Sequence, residues 1–325
     1  MGHHADHIGK QSCELLDGCS VVVPVYNGRD SLPELCRRLA DVMAAIGIPY
    51  ELLLVNDGSP DNSWEEICRL GAGSPVIRGV NLMRNYGQHN ALLAGIRLAR
   101  YHRVVTMDDD LQNPPEEIPN LLKMLDEGHD VVYGTPSTDQ HTVWRNFLSK
   151  ATKIALQRAM GVEAARHVSS FRAFRTHVRE AFAGYQNPFV IIDVLLSWGT
   201  TRFAVLPVRH DPRRTGTSNY TLRKLIVHGL NLVTGFSTLP LKLASLVGFG
   251  FTVFGFLVLA YVIGRYLLEG GSVPGFPFLA SLIAIFAGAQ LFALGIIGEY
   301  LARVHLRSMD RPVYTIRATT FSDSR

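Results

Sequence analysis

Apolar and polar positions follow two regimes along this chain. Before about residue 214, short apolar runs rich in β-branched residues alternate with stretches whose apolar side chains recur at helical spacing, and turn residues separate them. Residues 19–25 (CSVVVPV), 50–55 (YELLLV), 76–82 (VIRGVNL) and 103–107 (RVVTM) predict strands. Residues 31–46, 63–70 and 90–100 predict helices, with Ser31 and Ser63 as N-caps and Pro33 and Glu34 in a first turn. Strand–helix alternation predicts an α/β domain: a Rossmann-like, mainly parallel sheet covered by helices on both faces. Such sheets bind ligands beyond the carboxyl ends of their strands.

The second regime is more hydrophobic. Residues 243–263 and 276–298 carry no charge, and about 20 residues suffice to cross roughly 30 Å of hydrocarbon. The turn at 269–277 (EGGSVPGFP) makes the pair a hairpin. Arg223, Lys224 and Lys242 precede it and Arg303, Arg307 and Arg311 follow it, whereas the link side has only Arg265 against Glu269. That bias predicts both chain ends on the cytoplasmic side. Residues 221–238, basic at their start and apolar at helical spacing, predict a helix lying in the headgroup region.

The expected organisation is an N-terminal tail (1–18), a catalytic domain (19–214), a juxtamembrane interfacial segment (215–240), two transmembrane helices (241–303) and a cytoplasmic C-terminal tail (304–325). The polar, His-rich start has no signal-peptide pattern. The expected location is the cytoplasmic (inner) membrane, multi-pass, with the catalytic domain and both termini cytoplasmic.

Composition narrows the classes. With 325 residues, 47% hydrophobic and 18% charged, the chain is neither disordered nor a disulfide scaffold. A net charge of +4 is too small to argue for nucleic acid, and none is expected as a partner; a membrane surface or a phosphorylated substrate fits. Cys13, Cys19, Cys36 and Cys68 show no metal-binding spacing and read as reduced thiols.

The candidate chemistry follows strand ends. In MDDDLQNPP (107–115), strand alternation aims Asp108 and Asp110 to one side, and a turn brings round the Gln112 amide oxygen. Three hard oxygen donors suit Mg²⁺ or Mn²⁺, with diphosphate and water completing the shell. In VNDGSPDNS (55–63), Asp57 ends a strand and suits a base or ribose, and in VPVYN (23–27) Tyr26 suits packing on a nucleobase. In HDPRRTGTSNY (210–220), Arg213 offers a fork of donors to phosphate, Gly216 permits close approach and Ser218 adds a hydroxyl. Arg145 and Ser149, one helical turn apart, and Arg172 and Arg175 are further candidates for anion contact. No GxGxxG and no GxxxxGK[ST] occurs, which argues against dinucleotide oxidoreductases and P-loop NTPases.

PVYN, NDGSPDNS, DDDLQNPPE and RxxGxSxY, followed by TLRKL and two apolar spans, resemble the family-2 polyprenyl-phosphate glycosyltransferases, and most of all the bacterial undecaprenyl-phosphate aminoarabinose and glucose transferase group. The resemblance runs from about Ser20 to Tyr314. It implies a GT-A fold and inverting transfer from a nucleotide-diphosphate sugar (UDP- or GDP-linked) to a polyprenyl phosphate. It implies that Pro24, Tyr26, Asn27 and Asp57 hold the nucleoside. Asp108, Asp109, Asp110 and Gln112 would take the donor diphosphate, with Asp108, Asp110 and Gln112 holding the metal and Asp108 and Asp110 as catalytic residues. Arg213 would reach the diphosphate, and Arg145, Ser149, Ser218 and Tyr220 the acceptor phosphate. A homo-oligomer is compatible with this organisation.

Three departures stand out: Gly28 replaces the Glu that often follows PxYN, Gly134-Thr135-Pro136 replaces Gly-x-Arg, and Asn219 replaces a frequent Lys. Arg172 or Arg175 is the candidate substitute for the missing Arg. A membrane-bound polysaccharide synthase with a non-lipid acceptor would carry more spans and a QxxRW motif, absent here. A non-catalytic nucleotide-sugar-binding scaffold would not need the intact DxDxQ.

Overall fold

Strand β1 (Leu16–Val25) is the axis of the fold. It pairs in parallel with β2 (Tyr50–Asn56) on one side and β4 (Tyr101–Thr106) on the other. The computed structural model describes residues 15–136, 167–187, 189–211, 239–269, 275–309 and 311–322. Around β1 lie β3 (Ile77–Leu82), β5 (Val131–Pro136), β6 (Arg172–Arg175), β7 (Phe203–Val208) and β8 (Ile316–Thr319). The sheet order is β7-β5-β6-β4-β1-β2-β3-β8, parallel except where β6 and β8 insert antiparallel.

The β1 sequence explains why both faces are covered. Val21, Val23 and Val25 point to one face, against Leu35 and Leu39 of α1 (Leu32–Ile46) and Leu121 and Leu125 of α4 (Ile118–Asp126). Val22 points to the other, with Leu53 and Val55, against Ala91 and Ala94 of α3 (Gln88–Leu98) and Leu195 of α5 (Ile192–Gly199). Alternate valines therefore feed two cores. Gly95 sets the approach of α3: a Cβ there would lie 2.4 Å from Val22 Cγ1.

Of the two predicted caps, Ser31 stands at the N-cap position of α1 and Ser63 does not stand at that of α2 (Ser63–Gly73). Helix α2 has Asn62 at its N-cap, and Ser63 Oγ instead accepts the Gly28 N–H (3.1 Å) and donates to Asp61 Oδ1 (2.6 Å). Ser31 makes no side-chain cap; its hydroxyl donates to the Gly28 carbonyl (2.9 Å). Both serines fasten the turn after β1.

Helices α6 (Leu239–Glu269) and α7 (Phe276–Ser308) are long and apolar enough to cross a membrane. Phe251 meets Phe286 edge-on at 5.6 Å, and Gly255 faces the same Phe286 ring. Large side chains such as Leu246, Phe249, Leu257 and Leu291 point outward, exposed. The predicted interfacial helix at 221–238 lies outside the described residues.

The expected C-terminal tail is corrected. After α7 the chain returns to the sheet, where β8 pairs antiparallel with β3 and Val313 is buried. Thr320 exchanges hydrogen bonds with Gly79, and the Phe321 ring covers the Arg78 guanidinium at 3.8 Å. Beneath that ring, Arg78 pairs with Glu51 (2.5 Å), both buried, and Glu51 also accepts from Ser20 Oγ and the Arg100 N–H (both 2.7 Å). The β-branched IRAT stretch is short and polar, and its periodicity alone does not announce a strand.

Breaking this pair leaves a buried, uncompensated charge. Glu51→Ala is expected to cost about 3–5 kcal/mol, read as a large fall in melting temperature of the full chain in detergent. Glu34→Ala, which removes an exposed partner of Arg37, is expected to leave it unchanged.

Candidate active site

The chain runs β1, β2, β3 to one side of the sheet and then crosses back to β4 on the other side of β1. That reversal opens a crevice at the carboxyl ends of β1 and β4. A cleft of about 270 Å³ lies there, lined by Pro24, Val25, Tyr26, Asp57, Asn85, Gly87, Gln88 and the three carboxylates Asp108, Asp109 and Asp110. Six residues singled out in the sequence thus meet at one place.

Each carboxylate is held in a different way. Asp108 Oδ1 accepts from Gln88 Nε2 (2.5 Å) and Oδ2 from Ser170 Oγ (2.6 Å). Ser170 is itself fixed from below: its carbonyl accepts from Thr106 Oγ1 (2.8 Å), which accepts from Arg172 Nε (3.0 Å). Asp110 accepts the Gln112 N–H at 3.1 Å, closing a tight turn in which Leu111 has φ 59°. A non-glycine residue at positive φ is uncommon, and here it falls at the lip of the cleft.

Asp109 turns inward. Its Oδ2 is buried and has no hydrogen-bond partner among the described residues. Burial first, then the charges of Asp108 and Asp110, push its pKa up to about 7, against the opposing pull of the Tyr26 N–H.

On the opposite wall, Asp57 is buried and accepts from the Tyr86 N–H (2.7 Å) and Gly87 N–H (2.8 Å). Its pKa is raised by burial in spite of these two donors. Asp57 therefore braces the loop after β3 as well as lining the cleft. Tyr26 is 48% exposed, open to a stacking partner.

Not every expected residue joins the cleft. Asn27 is exposed, with φ 58°, and its N–H donates to Ser59 Oγ. Gln112 does not line the cleft; its carbonyl accepts the Asp211 N–H (2.8 Å). Arg213, Arg145, Ser149, Ser218 and Tyr220 lie outside the described residues.

Arg172 and Arg175 are corrected as anion-binding candidates. Arg172 is buried against Asp193, which also accepts from Tyr133 Oη. Arg175 donates to the Leu125 and His129 carbonyls near the end of α4. FRAFR is a strand between β4 and β5 that feeds both cores, with Phe171 and Ala173 on one face and Phe174 on the other.

Sequence reasoning missed Asn85, Gly87, Gln88 and Ser170. The first three follow a strand, as the recognised motifs do, and the polar run NYGQ was the available signal. Ser170 had none, being distant in sequence from the carboxylate it holds.

The donor set fits a hard divalent cation. Among the described residues no three His, Cys, Asp or Glu side chains form a self-sufficient metal cage. Two carboxylates at a cleft mouth match a cation such as Mg²⁺, which takes one or two carboxylates and fills its remaining positions from substrate phosphates and water.

Fold and cleft together define a GT-A glycosyltransferase. The chain belongs to glycosyl transferase family 2, whose pattern matches residues 20–183. It is 38% identical over 306 residues to the undecaprenyl-phosphate 4-deoxy-4-formamido-L-arabinose transferase of Shewanella sediminis, covering 93% of this chain and 92% of that one. The protein of the same name from Pseudomonas aeruginosa is 38% identical over 305 residues, covering 93% and 90%. Among solved structures, glucosyl-3-phosphoglycerate synthase of Mycobacterium tuberculosis, in complex with Mn²⁺, UDP-glucose and phosphoglyceric acid, shares the fold. It has a TM-score of 0.50 and 18% identity, and the match spans 67% of this chain and 78% of that one.

The raised Asp109 pKa sets a pH dependence. In the cation-free protein the folded state holds this proton more tightly than the unfolded chain does, so the contribution is full below about pH 4 and lost as pH rises through about 7. Asp109→Asn is expected to flatten the melting temperature over that window, measured in chelator.

Proposed function

We propose that this chain transfers a sugar from a nucleoside-diphosphate sugar to undecaprenyl phosphate at a membrane surface. The carrying observation is the convergence of Asp108, Asp110, Asp57 and Tyr26 in one cleft of a family-2 chain that continues into two long apolar helices. The relatives' names supply the acceptor, and their near-complete overlap, hairpin included, supports carrying it over. The same names make 4-deoxy-4-formamido-L-arabinose the first sugar to test.

Tyr26 and Asp57 would hold the nucleoside, placing the diphosphate over Asp108 and Asp110. These two, with Gln112 brought in from its turn, would hold Mg²⁺ or Mn²⁺. When bound, the cation neutralises charge on the departing nucleoside diphosphate. Gln88 and Ser170 keep Asp108 oriented before substrate arrives. Arg213 is proposed for the diphosphate, and Arg145, Ser149, Ser218 and Tyr220 for the acceptor phosphate.

No general base is required. A phosphate monoester has a second pKa of about 6 and is already ionised near neutrality. Its oxygen attacks the anomeric carbon as the bond to the nucleoside diphosphate breaks, inverting the configuration. Alignment and fixed charge supply the acceleration.

We place the catalytic domain and both ends of the hairpin on the cytoplasmic face. The Arg and Lys residues flanking the hairpin support this orientation. So does β8: a segment hydrogen-bonded to β3 lies on the same side as the sheet, which two crossings allow and one does not.

Membranes holding the protein, given undecaprenyl phosphate and a panel of UDP- and GDP-linked sugars, are expected to form an organic-extractable sugar lipid with one donor. A sugar appearing only in water-soluble polymer would instead favour a polysaccharide-synthase role. Asp110→Asn is expected to abolish transfer while nucleotide binding falls less, and chelator should reproduce that loss. Full activity in chelator would refute the cation's role.

A further inference from the structure

Gly28 is a glycine for reasons of space. Its φ is not in the left-handed region, unlike Gly58 (φ +62°) and Gly87 (φ +95°) in the neighbouring turns. A Cβ built on Gly28 would stand 2.1 Å from Asp109 Oδ2 and 3.1 Å from Val25 Cγ1. Real Cβ atoms do not approach an oxygen that closely, so one of the two must give way.

The backbone at Gly28 is not free to do so. Its N–H donates to Ser63 Oγ, and its carbonyl accepts from the Ser31 N–H (3.1 Å), the Leu32 N–H (3.2 Å) and Ser31 Oγ (2.9 Å). These bonds anchor the turn to the starts of α1 and α2. On the other side of that contact Asp109, which also lines the cleft, has its Oδ2 buried and unpartnered among the described residues. A buried polar atom without a partner is costly and calls for an explanation. Here the carboxylate occupies the volume that any side chain at position 28 would take, in the turn that also carries Tyr26.

We propose that Asp109 is a positioning residue of the donor site: its carboxylate fills the notch opened by Gly28 and locks the turn after β1, which carries Tyr26, to the turn after β4, which carries Asp108 and Asp110. The lock makes the nucleoside side and the diphosphate side of the cleft one unit. It also accounts for the Gly28 departure, since a Glu at position 28 and the observed Asp109 exclude one another. The inference rests on the donor-site reading and adds to it a residue that acts through Tyr26 rather than on the substrate.

A double-mutant cycle tests it, on the full chain in detergent with Mn²⁺, titrating UDP and GDP by calorimetry. Gly28→Ala is expected to weaken binding of the preferred nucleotide about tenfold, because the methyl group displaces the carboxylate. Asp109→Ala should weaken it less. The pair should bind no worse than Asp109→Ala alone, since the methyl then has room. In the transfer assay the donor KM should follow this pattern while the KM for undecaprenyl phosphate stays constant, a split that general destabilisation would not give.

Melting temperatures of the cation-free proteins provide a second reading. A Gly28→Ala chain that melts early, or fails to fold, should be rescued by Asp109→Ala. Effects that multiply in the pair, the absence of rescue, or unaltered binding by Gly28→Ala would each overturn the lock. If the unmutated chain binds neither nucleotide, the donor-site reading falls and the lock falls with it.

Discussion

Three consecutive carboxylates cannot share one turn unless each is given its own surroundings. Like charges so close along the chain repel one another, the more so where one of them is buried. The structure separates them by direction. Asp108 is drawn toward Gln88 and Ser170, Asp110 closes a turn on the Gln112 N–H, and Asp109 is folded inward against Gly28. The positive φ of Leu111 is part of that solution, because it reverses the chain between the outer carboxylates and the helical segment beyond. Around this arrangement the other motifs take their meaning: the turn after β1 must leave room, and the loop after β3 must supply a donor.

The parallel core was legible because its signals are local. CSVVVPV, YELLLV and RVVTM are continuous apolar runs, as strands buried on both faces require, and their ends placed Tyr26, Asp57 and Asp108 together through topology alone. What stayed hidden depends on partners far along the chain. Arg172 reads as a surface cation until Asp193 and Tyr133 are seen around it. Ser63 reads as a cap until Gly28 claims its hydroxyl. Gly28 itself reads as the loss of a contact, whereas its absent side chain is what admits Asp109.

The C-terminal strand shows the same limit on a larger scale. IRAT is too short and too polar to signal a strand, and the two apolar helices before it suggest that the chain simply ends beyond them. Pairing supplies what periodicity does not. The exposed edge of β3 presents unpaired backbone groups, and β8 takes them up while Phe321 lies over Arg78. The buried Glu51–Arg78 pair is thereby covered on its open side.

That closure also reaches the cleft. The Met83 N–H donates to the Thr315 carbonyl (2.9 Å), and the loop that begins there carries Tyr86 and Gly87, whose N–H groups hold Asp57. Arg97, on the helix that opens with Gln88, lies 5.7 Å from the Tyr314 ring centroid. The segment emerging from α7 is therefore in contact with both elements that orient cleft carboxylates, Asp57 through the loop and Asp108 through Gln88. A catalytic domain joined to its apolar helices only at residue 211 and beyond would pivot on a single connection. Joined again through β8, it is held at two points of one sheet, and the second point lies beside the residues that shape the cleft.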